Sequence, residues 1–471
     1  MMKKILMSGV LLFISLGLSA KEISDKIEGN WFGHIQLPSA TMEIGLEIFT
    51  KADGSLGANM TSPQQGNRYM LVSSITFKNN QLELKLHGAP IRVVAVLQEA
   101  EQTISGQLVQ GDSAFTIGLK KVPTLTETLK PQSDIKPTTY REVEVTYHNK
   151  VDNVWLAGTL SVPQEEELQR KKKYPAVILI AGSGANPRDV YHSGHRLFAV
   201  LADHLAKQGF VVLRSDKRGV YKSAGKYQEG ELDAFARDTQ AAVEFVRQHP
   251  SVNNNSIALV GHSEGSIVSA KTAQLTPVDA IVSLAGPGLA TLDVLLEQDQ
   301  AEPRAAGASD KEVAILLEFS KKFYQTVLDT KNAQDRHEKL AKLYQELSGE
   351  EAEVHRKWNN RSGTLSVSTA SSDTFYNWLQ NDPMKNWQGY DKPLLIINGD
   401  KDVQVKADTN VQGIKQANHE NPSPVIVKVI PDVNHMLQTA KTGAIEEYGQ
   451  IEETINQTVL VEIEQFVQNN L

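Results

Sequence analysis

One serine stands between two glycines in "IALVGHSEGSIVSA", residues 257–270. A serine hydroxyl is a weak nucleophile at neutral pH. It needs a base to take its proton, a group to orient that base, and donors for the oxyanion that forms. Gly-x-Ser-x-Gly supplies the geometry, because a strained turn that only small neighbours permit holds the serine oxygen above a sheet. The motif here follows the apolar, β-branched "IALV" and precedes a plausible helix. That context favours Ser263 as a nucleophile over an ordinary turn.

The base is expected late in the chain, after the last strand. "VIPDVNHMLQ" follows the strand "VIVKVI" and contains His435, one of twelve histidines. His262 neighbours the serine but points the other way in such a turn. His192 and His195 lie in a loop that could border the pocket, though solvated loop histidines are the plainer reading, and His419 in "NHENP" is a surface-type turn. The orienting acid belongs between serine and histidine. "PLLIINGDKDVQV" offers Asp400 and Asp402; Gly399-x-x-Asp402 puts the second at the loop tip, and Asp400 reads as a turn-former. The oxyanion needs two backbone N–H groups. The candidates are Glu264, the residue after the nucleophile, and Ser183 in the loop "AGSGANPRD" that follows the strand "AVILI".

These residues require a frame. From residue 140 onward strands and helices alternate. "AVILI", "FVVLRSD", "SIALVG", "DAIVSLAG" and "PLLIING" are short apolar strands; "LFAVLADHLAKQG" and "DAFARDTQAAVEFVRQH" are helices, as is "IEETINQTVLVEIEQFVQ" at the end. Fully apolar strands between helices imply a mostly parallel sheet covered on both faces, an α/β fold. "YREVEVTYHNKVDNVWLAGTLSVP" reads as an antiparallel pair ahead of it. Residues 289–389 break the rhythm with charged, helical patterns and predict a helical cap over the carboxyl edge of the sheet.

The preceding part has another period. "MEIGLEIF", "QLELKLHG", "IRVVAVL" and "FTIGLKKV" alternate apolar and polar residues between turn signals, which predicts a small antiparallel barrel or sandwich over residues 21–122. Residues 123–139, rich in Pro and Thr, read as a linker, and 140–471 as the α/β domain.

"MMKK", a short apolar run and "SA" form a secretory signal pattern over residues 1–20, with cleavage expected after Ala20 and a retained anchor as the rival. Removing Lys3 and Lys4 with it takes the formal charge from −8 to −10. Export, most simply to a periplasm, and no stable membrane insertion after cleavage are the expectations. Cysteine is absent, which excludes disulfides, thiolate metal sites and a catalytic cysteine. No block of basic residues suggests a nucleic-acid partner; "RKKKY" at 170–174 reads as a solvated loop.

The segments "AGSG…RD", "FAVLADHLAKQGFVVLRSDKRGVYKSAG", "IALVGHSEGSIVSA", "SLAGPG", "NGDKDVQV" and "NHMLQTAKTGAIEEYGQIEETI" together resemble α/β-hydrolase esterases of the serine aminopeptidase-like type. The resemblance covers roughly 140–471, and "GNWFGHIQLP", "SPQQGN" and "ISGQLVQG" resemble the small β domain that precedes some of them. It implies a carboxylesterase-type acyl hydrolase of short-acyl esters with a helical cap, needing no metal or cofactor. Ser266 and Tyr221 stand where relatives usually have glycine, which leaves the substrate range open. In the family's "HSEG" pattern the Glu264 side chain would shape the pocket floor or pair with a residue such as Arg218, while Asp216 and Arg218 look structural.

Two rivals remain. An aminopeptidase or aminoacyl amidase would use the same three residues, with a carboxylate from a cap segment such as "SGEEAEVH" holding the substrate amine. A non-enzymatic reading has the β domain binding a glycan or envelope polymer. The β domain could equally localise the enzyme, cover its pocket or join two chains as a homodimer, and the sequence does not choose.

Overall fold

The period-two pattern of the first hundred residues becomes a closed eight-stranded antiparallel barrel, from β1 (Gly29–Gln36) to β8 (Ser113–Val122), with each strand paired to the next and β1 to β8. Inward positions alternate along each strand, so Trp31, Ile35, Ile44, Leu46 and Leu84 fill the interior. The Trp31 indole N–H donates to the Ile27 carbonyl at 2.9 Å, which satisfies the one polar atom of the largest buried side chain. The computed structural model describes residues 26–65, 70–164, 173–227, 231–358 and 366–471. The signal-like segment, part of "RKKKY" and part of "SPQQGN" lie outside them.

The second sheet has eight strands in the order β18-β17-β16-β15-β11-β14-β10-β9. β9 (Tyr140–Asn149) and β10 (Val154–Pro163) form the antiparallel edge. β11 (Tyr174–Ile180), β14 (Val211–Ser215), β15 (Val252–His262), β16 (Ala280–Leu284), β17 (Leu394–Gly399) and β18 (Val425–Ile430) are parallel. A small hairpin, β12 (Tyr191–His192) with β13 (His195–Arg196), follows β11. Both faces are covered, as the apolar runs require. Val177, Leu179, Ala258 and Val260 point to the helices Leu197–Lys207 and Gln457–Asn470. Their neighbours Ile178, Ile180, Ile257 and Leu259 point to Leu232–Arg247, Glu264–Leu275 and Ala407–Ala417.

Between β16 and β17 the chain leaves the sheet and builds a helical layer. Its longest members are Thr291–Ala305, Asp310–Asp329, Ala333–Glu346 and Gly349–Trp358. Asp310–Asp329 starts with a full capping box, Ser309 and Glu312. Phe323, Val327, Leu340 and Leu379 form a separate apolar core. Arg336, fully buried, ties the layer together by donating to the carbonyls of Ser371, Thr330 and Lys331 and to Asp373. Residues 130–133 run against the end of the α/β part: Gln132 accepts from the N–H groups of Thr454 and Ile455, and Ser133 bonds the Thr454 hydroxyl. No helix among the described residues is long and apolar enough to cross a membrane.

Candidate active site

Ser263 sits where β15 ends and the helix Glu264–Leu275 begins, with φ 55° and ψ −124°. A non-glycine residue held there costs of order 1–3 kcal/mol, so surrounding structure must enforce it. The flanking glycines are what the turn needs. A Cβ on Gly261 would lie 2.2 Å from the Gly265 carbonyl oxygen, and one on Gly265 would lie 2.1 Å from the Ile180 oxygen. The serine N–H is anchored on the Leu284 carbonyl at 2.8 Å.

His435 lies in the turn after β18 and Asp402 in the turn after β17. His435 Nδ1 donates to Asp402 Oδ2 at 2.8 Å, leaving Nε2 as the free ring nitrogen of this pair. The other carboxylate oxygen of Asp402 accepts from the N–H groups of Gln404 at 2.9 Å and Val405 at 2.8 Å. Three donors thus hold a carboxylate that is buried with its histidine, in the electrostatics of a low-dielectric site. His262 does not line the cavity and reaches the backbone of this pair instead. Its Nε2 donates to the His435 carbonyl at 2.8 Å, and the two rings lie 5.0 Å apart. Burial first, then the neighbouring His435, push the His262 imidazole down to about 3, so it stays neutral and holds the His435 backbone.

Ser183, Ser263, Glu264 and His435 border one cavity of about 360 Å³, roofed by the helical layer. Its wall includes Phe319, Phe323, Tyr344 and Trp378. Glu264, Asp299, Glu302 and Glu446 bring carboxylates to it, and no Lys or Arg is among its described lining residues. Asp299 accepts from the Tyr324 hydroxyl at 2.9 Å. Burial raises its carboxyl above the usual range, against hydrogen bonds from Ser320 and Tyr324.

Other residues singled out in the sequence lie elsewhere. Asp400 caps a turn by accepting the Asp432 N–H at 2.7 Å. His195 is buried between the Thr454 hydroxyl and the Tyr448 carbonyl, and His192 packs edge-on to Tyr448; neither lines the cavity. His419 is exposed on its turn. Ser266 bonds Ser283 at 2.6 Å under the sheet, away from the cavity. Tyr221, at φ 46°, faces the barrel, where its hydroxyl donates to Glu47 at 2.8 Å. Glu264 pairs with Lys217 and not with Arg218, which is engaged with Asp238 and Asp152. The acids of "SGEEAEVH" also stay off the cavity: Glu350, Glu351 and Glu353 do not line it, whereas Asp299 and Glu302 do. His262 and Lys217 lie inside quoted motifs and Asp299 in none, and the role of each is read only from what it touches. Among the described residues no group of three or more His, Asp and Glu side chains is disposed to hold a metal ion.

Residues 175–441 match the family described as alpha/beta hydrolase fold. Esterase EstD of Thermotoga maritima is 23% identical over 305 residues, 64% of this chain and 61% of that protein. Two solved structures are similar over most of the chain. A hypothetical protein of Pseudomonas aeruginosa is 16% identical with a TM-score of 0.44, covering 74% of this chain and 100% of that one. An esterase of Pyrococcus furiosus is 16% identical with a TM-score of 0.40, covering 70% and 93%.

Proposed function

The chain belongs to the alpha/beta hydrolase fold family, and from that premise we propose that it is a serine carboxylic ester hydrolase acting through an acyl-enzyme on short-acyl esters. One observation carries the reading: a strained serine and a histidine bonded to a buried aspartate border the same cavity. Ser263 Oγ attacks the acyl carbon while His435 Nε2 takes its proton. Asp402 holds the Nδ1–H tautomer and stabilises the imidazolium. The N–H groups of Ser183 and Glu264 receive the oxyanion. His435 then returns the proton to the departing alkoxide oxygen, and the alcohol leaves. Water attacks the acyl-enzyme, gives its proton to His435, and the acid departs as that proton returns to Ser263. The similarity to a protein named an esterase supports an ester substrate over an amide.

Turnover of a p-nitrophenyl ester series by wild type and Ser263→Ala tests this. Activity is expected to fall by about 10⁶-fold on losing the nucleophile, with an unchanged fold and melting temperature. Near wild-type turnover in the variant would overturn the reading.

A second reading has its own observation. Asp299 and Glu302 line a cavity walled in part by Phe319, Phe323, Tyr344 and Trp378, with no Lys or Arg among its described lining residues, which suits a protonated substrate amine. An aminoacyl amide would then be the substrate. Cleavage of an aminoacyl p-nitroanilide at a rate comparable to the matched ester would favour it. The leader pattern supports export to a periplasm with cleavage after Ala20, which N-terminal sequencing of the mature protein checks.

A further inference from the structure

The two backbone donors assigned to the oxyanion sit on separate elements, the loop after β11 and the start of the helix Glu264–Leu275, and one side chain joins them. Lys217 Nζ donates to the Gly182 carbonyl at 2.5 Å and to Glu264 Oε1 at 3.1 Å. Both side chains are nearly out of solvent, 8% and 10% exposed. The Gly182 carbonyl and the Ser183 N–H belong to the same peptide unit. In a trans peptide these groups point in opposite directions. A cation held on the oxygen therefore decides which way the N–H faces, and it polarises the amide so that the N–H is a stronger donor.

The rest of the loop agrees. Asn186 Nδ2 donates to the same carbonyl at 3.0 Å, and the Lys217 backbone N–H donates to the Asn186 carbonyl at 3.3 Å. The peptide lies directly against the nucleophile: a Cβ on Gly182 would be 2.9 Å from the Ser263 Cβ. The other arm of Lys217 holds the side chain of Glu264, the first residue of the helix that starts after Ser263. The ammonium lies over the Phe235 ring at 4.5 Å and does not line the cavity, so it acts through the peptide and not on the substrate.

We propose that Lys217 is the positioning residue of the oxyanion hole, holding the Gly182–Ser183 peptide and Glu264 so that both N–H groups converge on the oxygen that becomes charged. This rests on the ester hydrolase reading above. The test compares wild type, Lys217→Met, Lys217→Arg and the pair Lys217→Met with Glu264→Leu, with Ser263→Ala alongside. The readouts are kcat and KM on a p-nitrophenyl ester, the melting temperature, and inhibition by an aryl trifluoromethyl ketone, whose adduct with serine carries an oxyanion.

Lys217→Met is expected to lower kcat by about 10- to 100-fold, a large part of what losing one oxyanion donor costs, while KM moves less than about threefold. The ketone should lose affinity by the same factor as kcat/KM. Lys217→Arg, which keeps a cationic donor for the carbonyl, should recover part of the rate. The double variant removes the orphaned carboxylate, so it should regain melting temperature but not kcat. A Lys217→Met kcat within about threefold of wild type would sink the proposal, as would kcat returning together with stability in the double variant. Undiminished turnover by Ser263→Ala would instead overturn the underlying function.

Discussion

Asp402 divides its carboxylate between two tasks. Oδ2 takes the His435 Nδ1–H, and Oδ1 takes the N–H groups of Gln404 and Val405. An asparagine can keep its oxygen on those two N–H groups, which turns its NH₂ toward His435 and forces the other tautomer. Asp402→Asn is therefore expected to fold normally and to lose about 10⁴-fold in kcat, measured on the same ester series. Retained activity would mean that another acid orients the histidine. At this scale the sequence was informative where a residue type is tied to a position by mechanism. Motif and chain order single out Ser263, Asp402 and His435; in the fold Ser263 and His435 border one cavity, and Asp402 is bonded to His435 without lining it. His262 stays off the cavity, as the turn predicts, but its partner, a carbonyl contributed from 173 residues away, leaves no mark in the sequence.

The loop after β11 is held by charges that no motif foretold as a set. Arg188 donates from its backbone and its guanidinium to Asp216, at 2.8 Å and 2.7 Å, and also to Thr159 and Glu144. Arg214 and Arg196 both reach Asp189. These ties fix the stretch that carries Ser183. Arg188→Met would leave Asp216, whose side chain is wholly buried, without its cation. A loss of about 3–5 kcal/mol is expected from urea unfolding at pH 7. The sign of its pH dependence follows from Asp216. Burial already raises its carboxyl above the usual range, and losing Arg188 raises it further. A folded-state value above the unfolded one favours stability at low pH and is lost as pH rises, so the deficit should shrink on going from pH 7 toward 5. A deficit that grows instead would mean that Asp216 stays ionised on another partner. The elements themselves are legible, because most strands of the parallel sheet carry a short apolar run, as in "YPAVILI" and "LLIING". The ion pairs between them are not.

Across the whole molecule, the barrel meets the α/β part through Tyr221. Its ring lies 4.7 Å from Phe49, its hydroxyl bonds Glu47, and the next residue's carbonyl takes the Ala52 N–H at 2.8 Å. Tyr221 holds a positive φ that glycine adopts freely and a tyrosine does not, and the contacts with the barrel offset the strain. Tyr221 borders a second cavity and not the one holding Ser263. Tyr221→Asp should therefore loosen the barrel, enlarging the radius of gyration in small-angle scattering, with ester turnover within about twofold of wild type. A fall in turnover with the same change in shape would assign the barrel a part in building the active site.

By itself the sequence determined the two periods, and with them a β unit followed by a mostly parallel sheet covered on both faces. It also determined the chain order of serine, acid and histidine, because apolar periodicity and a glycine-flanked turn are local properties. Only the tertiary structure decided that the barrel closes, since closure is the pairing of β1 with β8. It alone assigned Lys217 to the Gly182 carbonyl, His262 to the His435 carbonyl and Asp299 to the cavity wall. Those roles are set by partners far along the chain, and a side chain's long-range partner leaves no mark on its neighbours in sequence.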